Sequence, residues 1–158
     1  GTSVGQPVRL FEDSYLTRSL IAPGVGLGAP VGYAGNNVRA RRLISELSDY
    51  RAYCTGDYYS LGYAPYDKTS RLAYMFWRED LGEGIVMVYI RPDNTDTDSL
   101  HFNLKGLAPE GVYIVTPSEM QALTGRKESY TGKELTENGI SVKAEPGSAV
   151  ILKIKKVG

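Results

Sequence analysis

The feature that most constrains the fold is a series of short strand-forming segments that begins near residue 70, with no helical segment between them. Residues 72–77 (LAYMFW) and 85–90 (IVMVYI) are apolar on both faces, which predicts central strands that are covered on two sides. Residues 100–105 (LHFNLK) alternate between apolar and polar, which predicts a strand with His101 on its outward face. Short strands at this spacing predict an all-β fold, an antiparallel two-layer β-sandwich.

Turn signals separate the later strands. Residues 108–111 (APEG) place proline and glycine at favoured turn positions, and residues 112–115 follow as a strand. Asn138–Gly139 is the strongest short turn signal, and it predicts a turn from which a strand at 140–143 starts. The final strand is expected to direct Val150, Leu152 and Ile154 inward. We find no internal repeat.

The sequence before the strands predicts one α-helix, preceded by an irregular arm. Residues 22–32 hold too many glycines and prolines for regular structure. Asn36 or Asn37 can cap a helix whose apolar face carries Leu43 and Leu47 at helical spacing, together with Ile44 and Tyr50. The expected organisation is an irregular N-terminal arm at 1–36, a helix at 37–54 and a β-sandwich domain at 55–158.

The balance of charge argues against several classes of partner. Lys plus Arg and Asp plus Glu both number 18, so the sequence lacks the basic excess that nucleic-acid and anionic-membrane binding normally need. No apolar run approaches the roughly 20 residues that span a bilayer, and the N-terminus does not resemble a signal peptide. We expect no nucleic-acid or membrane partner. Cys54 is the only cysteine, which excludes an internal disulfide and leaves the compartment undetermined.

Metal and nucleophile motifs are incomplete in this sequence. Asn94, Asp96 and Asp98 have the spacing of the first ligands of a calcium loop, but Ser99 and Lys105 stand where the loop needs glycine and glutamate. His101 is the only histidine, and no GxSxG nucleophile elbow occurs. The prediction is therefore no metal and no cofactor.

The segment RAYCTGDYYSLGY, residues 51–63, places Asp57 among four tyrosines directly after the predicted helix. Glycoside hydrolysis ordinarily needs two carboxylates at a fixed separation, and neither Asp49 nor Asp67 has a spacing that defines such a pair. A structural interpretation has Asp57 capping backbone donors where the chain leaves the helix. A third interpretation is a carbohydrate-binding surface built from aromatic rings. Its candidate residues, as sugar contacts or as an interface, are Asp57, Tyr58, Tyr59, Tyr63 and Trp77.

Several motifs in fixed order resemble α-galactosidases of glycoside hydrolase families 36 and 27. GDYYSLGY at 56–63 resembles the "GD-aromatic-Y-x-L" junction, LAYMFW the "WxAYQF" strand, and GIVMVYIRP at 84–92 the "GxVLxFRRP" strand. LHFNLKGL at 100–107 resembles "LxLRGLDP", YTGKELTENG at 130–139 resembles "YTGxELMxxGL", and SAVILKIK at 148–155 resembles the closing "SAxLIxYK" strand. The resemblance covers about residues 37–158.

In those enzymes the motifs belong to the C-terminal β-sandwich, which packs against the catalytic (β/α)8 barrel. A barrel takes about 250 residues, and its catalytic aspartates have no counterpart here, so the resemblance implies no catalytic residue. The implied function is a non-catalytic C-terminal domain of a bacterial-type α-galactosidase-like hydrolase in carbohydrate metabolism, with the barrel as its partner. A domain cut from its barrel should expose an apolar patch on the Leu43/Ile44/Leu47 helix face or at the junction tyrosines. The alternative is a carbohydrate-binding module that uses surface tyrosines.

Overall fold

The computed structural model describes residues 13–19, 38–62 and 69–158. Two α-helices, α1 and α2, and a 3-10 helix lie before or beside nine strands in this part of the chain, and a π-helix precedes β8. The bounds are α1 Ser14–Arg18, α2 Val38–Arg51, the 3-10 helix Tyr53–Thr55, β1 Asp57–Ser60, β2 Arg71–Arg78, β3 Glu83–Ile90, β4 Leu100–Phe102, β5 Val112–Pro117, β6 Leu123–Thr124, β7 Tyr130–Thr131, the π-helix Glu134–Asn138, β8 Ile140–Val142 and β9 Ser148–Lys156.

A six-stranded sheet in the order β1-β2-β3-β9-β5-β7 forms the centre of the domain, and all of its pairings are antiparallel. A smaller sheet in the order β4-β8-β6 packs across it. Neighbouring strand residues point to opposite faces, so Met75, Val86 and Leu152 enter the core between the two sheets. The prediction of an antiparallel β-sandwich is confirmed.

The other face of the large sheet is also buried, because the helices cover it. Ile85, Met87 and Ile151 pack on this outer face with Leu47 of α2 and with Tyr53 of the 3-10 helix. The full burial of β3 follows from this third layer, and the prediction that its apolar residues face two layers is confirmed.

Helix α2 matches the predicted helix to within a few residues, and its apolar face is covered. Leu43 and Leu47 are buried, whereas Ile44 is half-buried. The expectation of an exposed apolar patch on this helix face is therefore wrong, because the chain covers the face itself. Among the described residues, no helix is long and apolar enough to cross a membrane.

Two local predictions need correction. The strand expected at 100–105 ends at Phe102, although Leu104 is still buried and His101 exposed as predicted. Asn138–Gly139 ends the π-helix, and β8 starts directly after it, as the strand predicted at 140–143 requires; Gly139 has φ +67°, and its N–H donates to the Glu134 carbonyl. The arm expected to be irregular contains α1, capped by the Asp13 carboxylate, which accepts from the Tyr15 and Leu16 amides. The rest of the arm lies outside the described residues.

Candidate functional site

An aromatic cluster occupies one part of the outer face of the large sheet. The rings touch in a chain from β1 through β2 and β3 to α1, with centroid separations of 5.5 to 5.9 Å. The register that pairs Tyr58 with Phe76, and Leu72 with Tyr89, brings these rings to one face. We call this set the outer aromatic cluster: Tyr15, Tyr58, Tyr74, Phe76 and Tyr89.

Hydroxyl groups link this cluster to the backbone of α1. The Tyr89 hydroxyl donates to the Arg18 carbonyl at 2.7 Å, so the Tyr74 hydroxyl, 3.3 Å away, acts as donor to Tyr89. Burial raises the pKa of both phenols above the usual value of 10.0. Both therefore remain neutral hydrogen-bonding groups at physiological pH.

Arg18 fixes α1 to the rest of the domain. Its guanidinium is bound by both carboxylate oxygens of Glu46, at 2.6 and 3.1 Å, and by Glu119 at 2.7 Å, and it also donates to the Ala149 carbonyl. Burial alone would lower the Arg18 pKa, but the hydrogen bonds and charges of Glu46 and Glu119 outweigh it, so the pKa is raised. Both carboxylates therefore bind the same guanidinium, which joins α1 to Glu46 of α2 and to Glu119 after β5.

A cleft of about 400 Å³ opens beside the cluster, between α1 and the ends of β2 and β3. Its walls are mostly apolar, with one acidic and one basic residue at the rim. Residues of the wall and rim include Tyr15, Leu72, Tyr74, Tyr89, Arg91 and Asp93. This cleft and the cluster form a continuous, partly apolar surface on the side of the domain that carries the helices.

The structure does not bring the predicted site residues together. Tyr58 lies on the outer face and is 59% exposed, whereas Tyr59 packs against the core between the sheets. Trp77 is also in that core, 2% exposed, with its Nε1 donating to Glu79 at 2.7 Å. Asp57 is exposed at the start of β1, and Tyr63 lies outside the described residues.

The predicted cap by Asp57 has no counterpart among the described residues, where its carboxylate makes no hydrogen bond. Sequence reasoning missed Tyr15, Tyr74 and Tyr89, since only the strand register shows that they meet Tyr58. Within the described ranges, no group of three His, Cys, Asp or Glu side chains could hold a metal ion.

The fold defines a β-sandwich domain whose larger sheet carries helices on its outer face. The model of the glycosyl hydrolase family 36 C-terminal domain matches residues 71–152, more than half of the chain. The chain therefore belongs to this family. No curated protein matches it.

Several solved structures share the fold. The galactosidase domain of the α-galactosidase–sucrose kinase AgaSK is 20% identical with a TM-score of 0.59, and 75% of this chain covers 16% of it. The α-galactosidase AgaB from Geobacillus stearothermophilus is 22% identical with a TM-score of 0.56, and 75% of this chain covers 15% of it. The α-galactosidase from Lactobacillus brevis is 16% identical with a TM-score of 0.59, over 76% of this chain and 16% of that one. The chain thus spans about a sixth of these enzymes.

Proposed function

We propose that this chain is the non-catalytic C-terminal domain of an α-galactosidase-like glycoside hydrolase, and that it packs against the catalytic barrel of that enzyme. The observation that carries the proposal is the family match, combined with the small share of each similar α-galactosidase that the chain spans. A variant of AgaA from Geobacillus stearothermophilus was solved in complex with raffinose, so α-galactosides are the substrate class proposed for the parent enzyme.

The outer aromatic cluster is the proposed contact with the barrel. Tyr58 exposes more than half of its surface in the isolated domain, although its ring packs against Tyr74 and Phe76. A large ring left open beside an apolar cleft is typical of a surface that a partner covers. This is also the junction at which an exposed patch was expected.

The geometry gives less support to a carbohydrate-binding surface at these tyrosines. Such a surface would need exposed, nearly coplanar rings, but the Tyr58 ring is tilted by 39° from Tyr74 and by 59° from Phe76. Tyr59 and Trp77 face the opposite side of the sheet. An enzyme acting through Asp57 is equally unsupported, because Asp57 is exposed, whereas a glycosidase encloses its acid to keep it protonated.

A hydrolysis assay tests the non-catalytic part of the proposal. The isolated chain is incubated with p-nitrophenyl α-D-galactopyranoside, and we expect no release above the buffer rate. Release that scales with protein concentration and disappears in Asp57→Asn would contradict the proposal.

The packing part is tested by one substitution in two contexts. Tyr58→Glu should leave the melting temperature of the isolated chain nearly unchanged, because the side chain is largely exposed there. In the longer protein that carries the barrel, the same change should lower the melting temperature by several degrees, because it buries a charge in an interface. Leu81→Glu, at a residue 50% exposed in the β2–β3 turn, is the matched control. Equal effects of both changes in the longer protein would refute the proposed contact.

A further inference from the structure

A polar row crosses the outer face of the three-stranded sheet. The register of this sheet pairs Ser141 of β8 with His101 of β4 on one side and with Thr124 of β6 on the other. Alternate residues of the same strands enter the core, so this row points away from it. The core-facing residues are Phe102, Leu123, Ile140 and Val142.

Side chains and backbone around this row form a groove of about 210 Å³. The His101 Nδ1 lies 3.0 Å from the Ser141 hydroxyl, and Lys127 pairs with Glu134 at 2.7 Å along one wall. Gly139 lies tight against β4, because a β-carbon there would lie 2.5 Å from the Phe102 carbonyl oxygen and 2.9 Å from the His101 Nε2. We call this site the polar groove; its lining includes His101, Thr124, Lys127, Glu134, Asn138 and Ser141.

The charges of the groove select against ionic ligands. An anion attracted by Lys127 would also meet the Glu134 carboxylate, which already accepts from the Lys127 ammonium and the Thr131 amide. A cation would find that carboxylate occupied by the same donors. The remaining groups are hydroxyls, an amide and an imidazole, which both donate and accept hydrogen bonds.

The size of the groove limits the ligand to one small ring. Its volume of about 210 Å³ lies below the roughly 300–1,000 Å³ of typical small-molecule sites. A single pyranose ring carries several hydroxyls, each of which can donate and accept, so they can replace the water molecules that hydrate the polar groups of the groove.

We propose that the polar groove binds a neutral pyranoside. It lies on the opposite side of the sandwich from the outer aromatic cluster, so a barrel packed on the cluster would leave it open. The inference does not depend on the proposed function, because the isolated chain alone is needed to test it. If no sugar binds in the polar groove, the expected outcome of the Tyr58 experiment stays the same.

The single histidine makes the test specific, because its imidazole resonances report on this groove without assignment of other residues. We would titrate the 158-residue chain with methyl α-D-galactopyranoside and follow the His101 imidazole signals by NMR. The expected result is a saturable shift with a dissociation constant on the order of 1 to 10 mM, since a small ligand gains little affinity. No saturable shift up to about 100 mM would overturn the proposal.

Two matched variants separate binding from changes in stability. Thr124→Leu removes a hydroxyl and fills the groove, so the saturable shift should be lost. Thr116→Leu makes the same change at an exposed residue of β5 in the other sheet, and it should bind like the unmodified chain. Unchanged binding in Thr124→Leu, or an equal His101 shift with sodium sulfate at matched ionic strength, would overturn the proposal. The melting temperatures of both variants show that each is folded during the titration.

Discussion

Replacing Arg18 with methionine tests whether α1 is an integral part of the domain. Arg18 is 4% exposed, and its partners Glu46 and Glu119 are 14% and 39% exposed. Methionine keeps much of the apolar stem but removes every hydrogen bond of the guanidinium. The two carboxylates and the Ala149 carbonyl would then lose their common donor.

The expected loss of stability depends on how well water can solvate each partner of Arg18 once the guanidinium is removed. Removing one member of a fully buried ion pair costs about 3–5 kcal/mol, mostly because a charge stays buried without a partner. Glu119 can be rehydrated, so its share is at most about 1 kcal/mol. Glu46 is more enclosed, and its two charge-assisted hydrogen bonds contribute roughly 1.5–3 kcal/mol. The net destabilisation should be about 3 kcal/mol.

Thermal unfolding followed by circular dichroism measures this loss. For a chain of this size each kcal/mol shifts the melting temperature by about 2–4 °C, so Arg18→Met should melt about 6–12 °C lower. Arg78→Met is the control: Arg78 pairs with Asp80 at 2.6 Å and donates to the Ala52 carbonyl and the Thr55 hydroxyl, but water can reach these partners, so the loss should be much smaller. Equal melting temperatures for Arg18→Met and the unmodified chain would refute the view that α1 is fixed by this contact.

Three further predictions concern the core and the titratable groups. Tyr113→Phe should lower the free energy of unfolding in urea by about 1–2 kcal/mol, because the Tyr113 hydroxyl accepts from the Ala108 amide at 2.9 Å. Tyr58→Phe, at an exposed residue, should lower it by almost nothing, and equal losses in the two variants would contradict this reasoning. Burial raises the pKa of Tyr74, Tyr89 and Tyr113 above 10.0, so the native state holds these protons more tightly than the unfolded chain. The stability from this difference is complete below pH 10 and is lost as the pH rises above it; a free energy of unfolding that stays constant from about pH 8 to 11.5 would contradict the assignment. Burial likewise raises the pKa of the Cys54 thiol. The thiol should therefore react with Ellman's reagent only as fast as the protein opens. Immediate labelling of the native chain would contradict this, because it would show that the thiol is accessible.

The sandwich was predictable because its signals are local. Residues 72–77 and 85–90 are apolar on both faces; residues 85–90 of β3 are buried on both sides, and β2 is buried on both sides from Met75 to Trp77. Because side chains alternate along a strand, the sequence also predicts that Tyr58 and Tyr59 face opposite sides of the sheet, but it does not predict which of them faces the core. That choice depends on the partner strand, and the register with β2 decides it.

The contacts that build the candidate site depend on residues far apart in sequence. Arg18 meets Glu46 and Glu119 across separations of 28 and 101 residues, which no periodicity encodes. The polar groove likewise needs the order β4-β8-β6, in which the central strand comes last in sequence. Asn138–Gly139 shows the same limit at short range, because a residue with positive φ suits a hairpin turn and a helix end equally.

The double burial of the large sheet bears on what a barrel can contribute. Leu47, Tyr53 and the outer-face residues of β3 and β9 form a core of their own, so the chain covers most of this face with its own helices. A partner is therefore not needed to bury the sheet. What remains for it is the open ring of Tyr58 and the cleft beside Tyr74. Association with a barrel would then add an interface to a domain that is already folded. Substitutions at Tyr58 should therefore lower stability only when the barrel is present, whereas substitutions at Arg18 should lower it with or without the barrel.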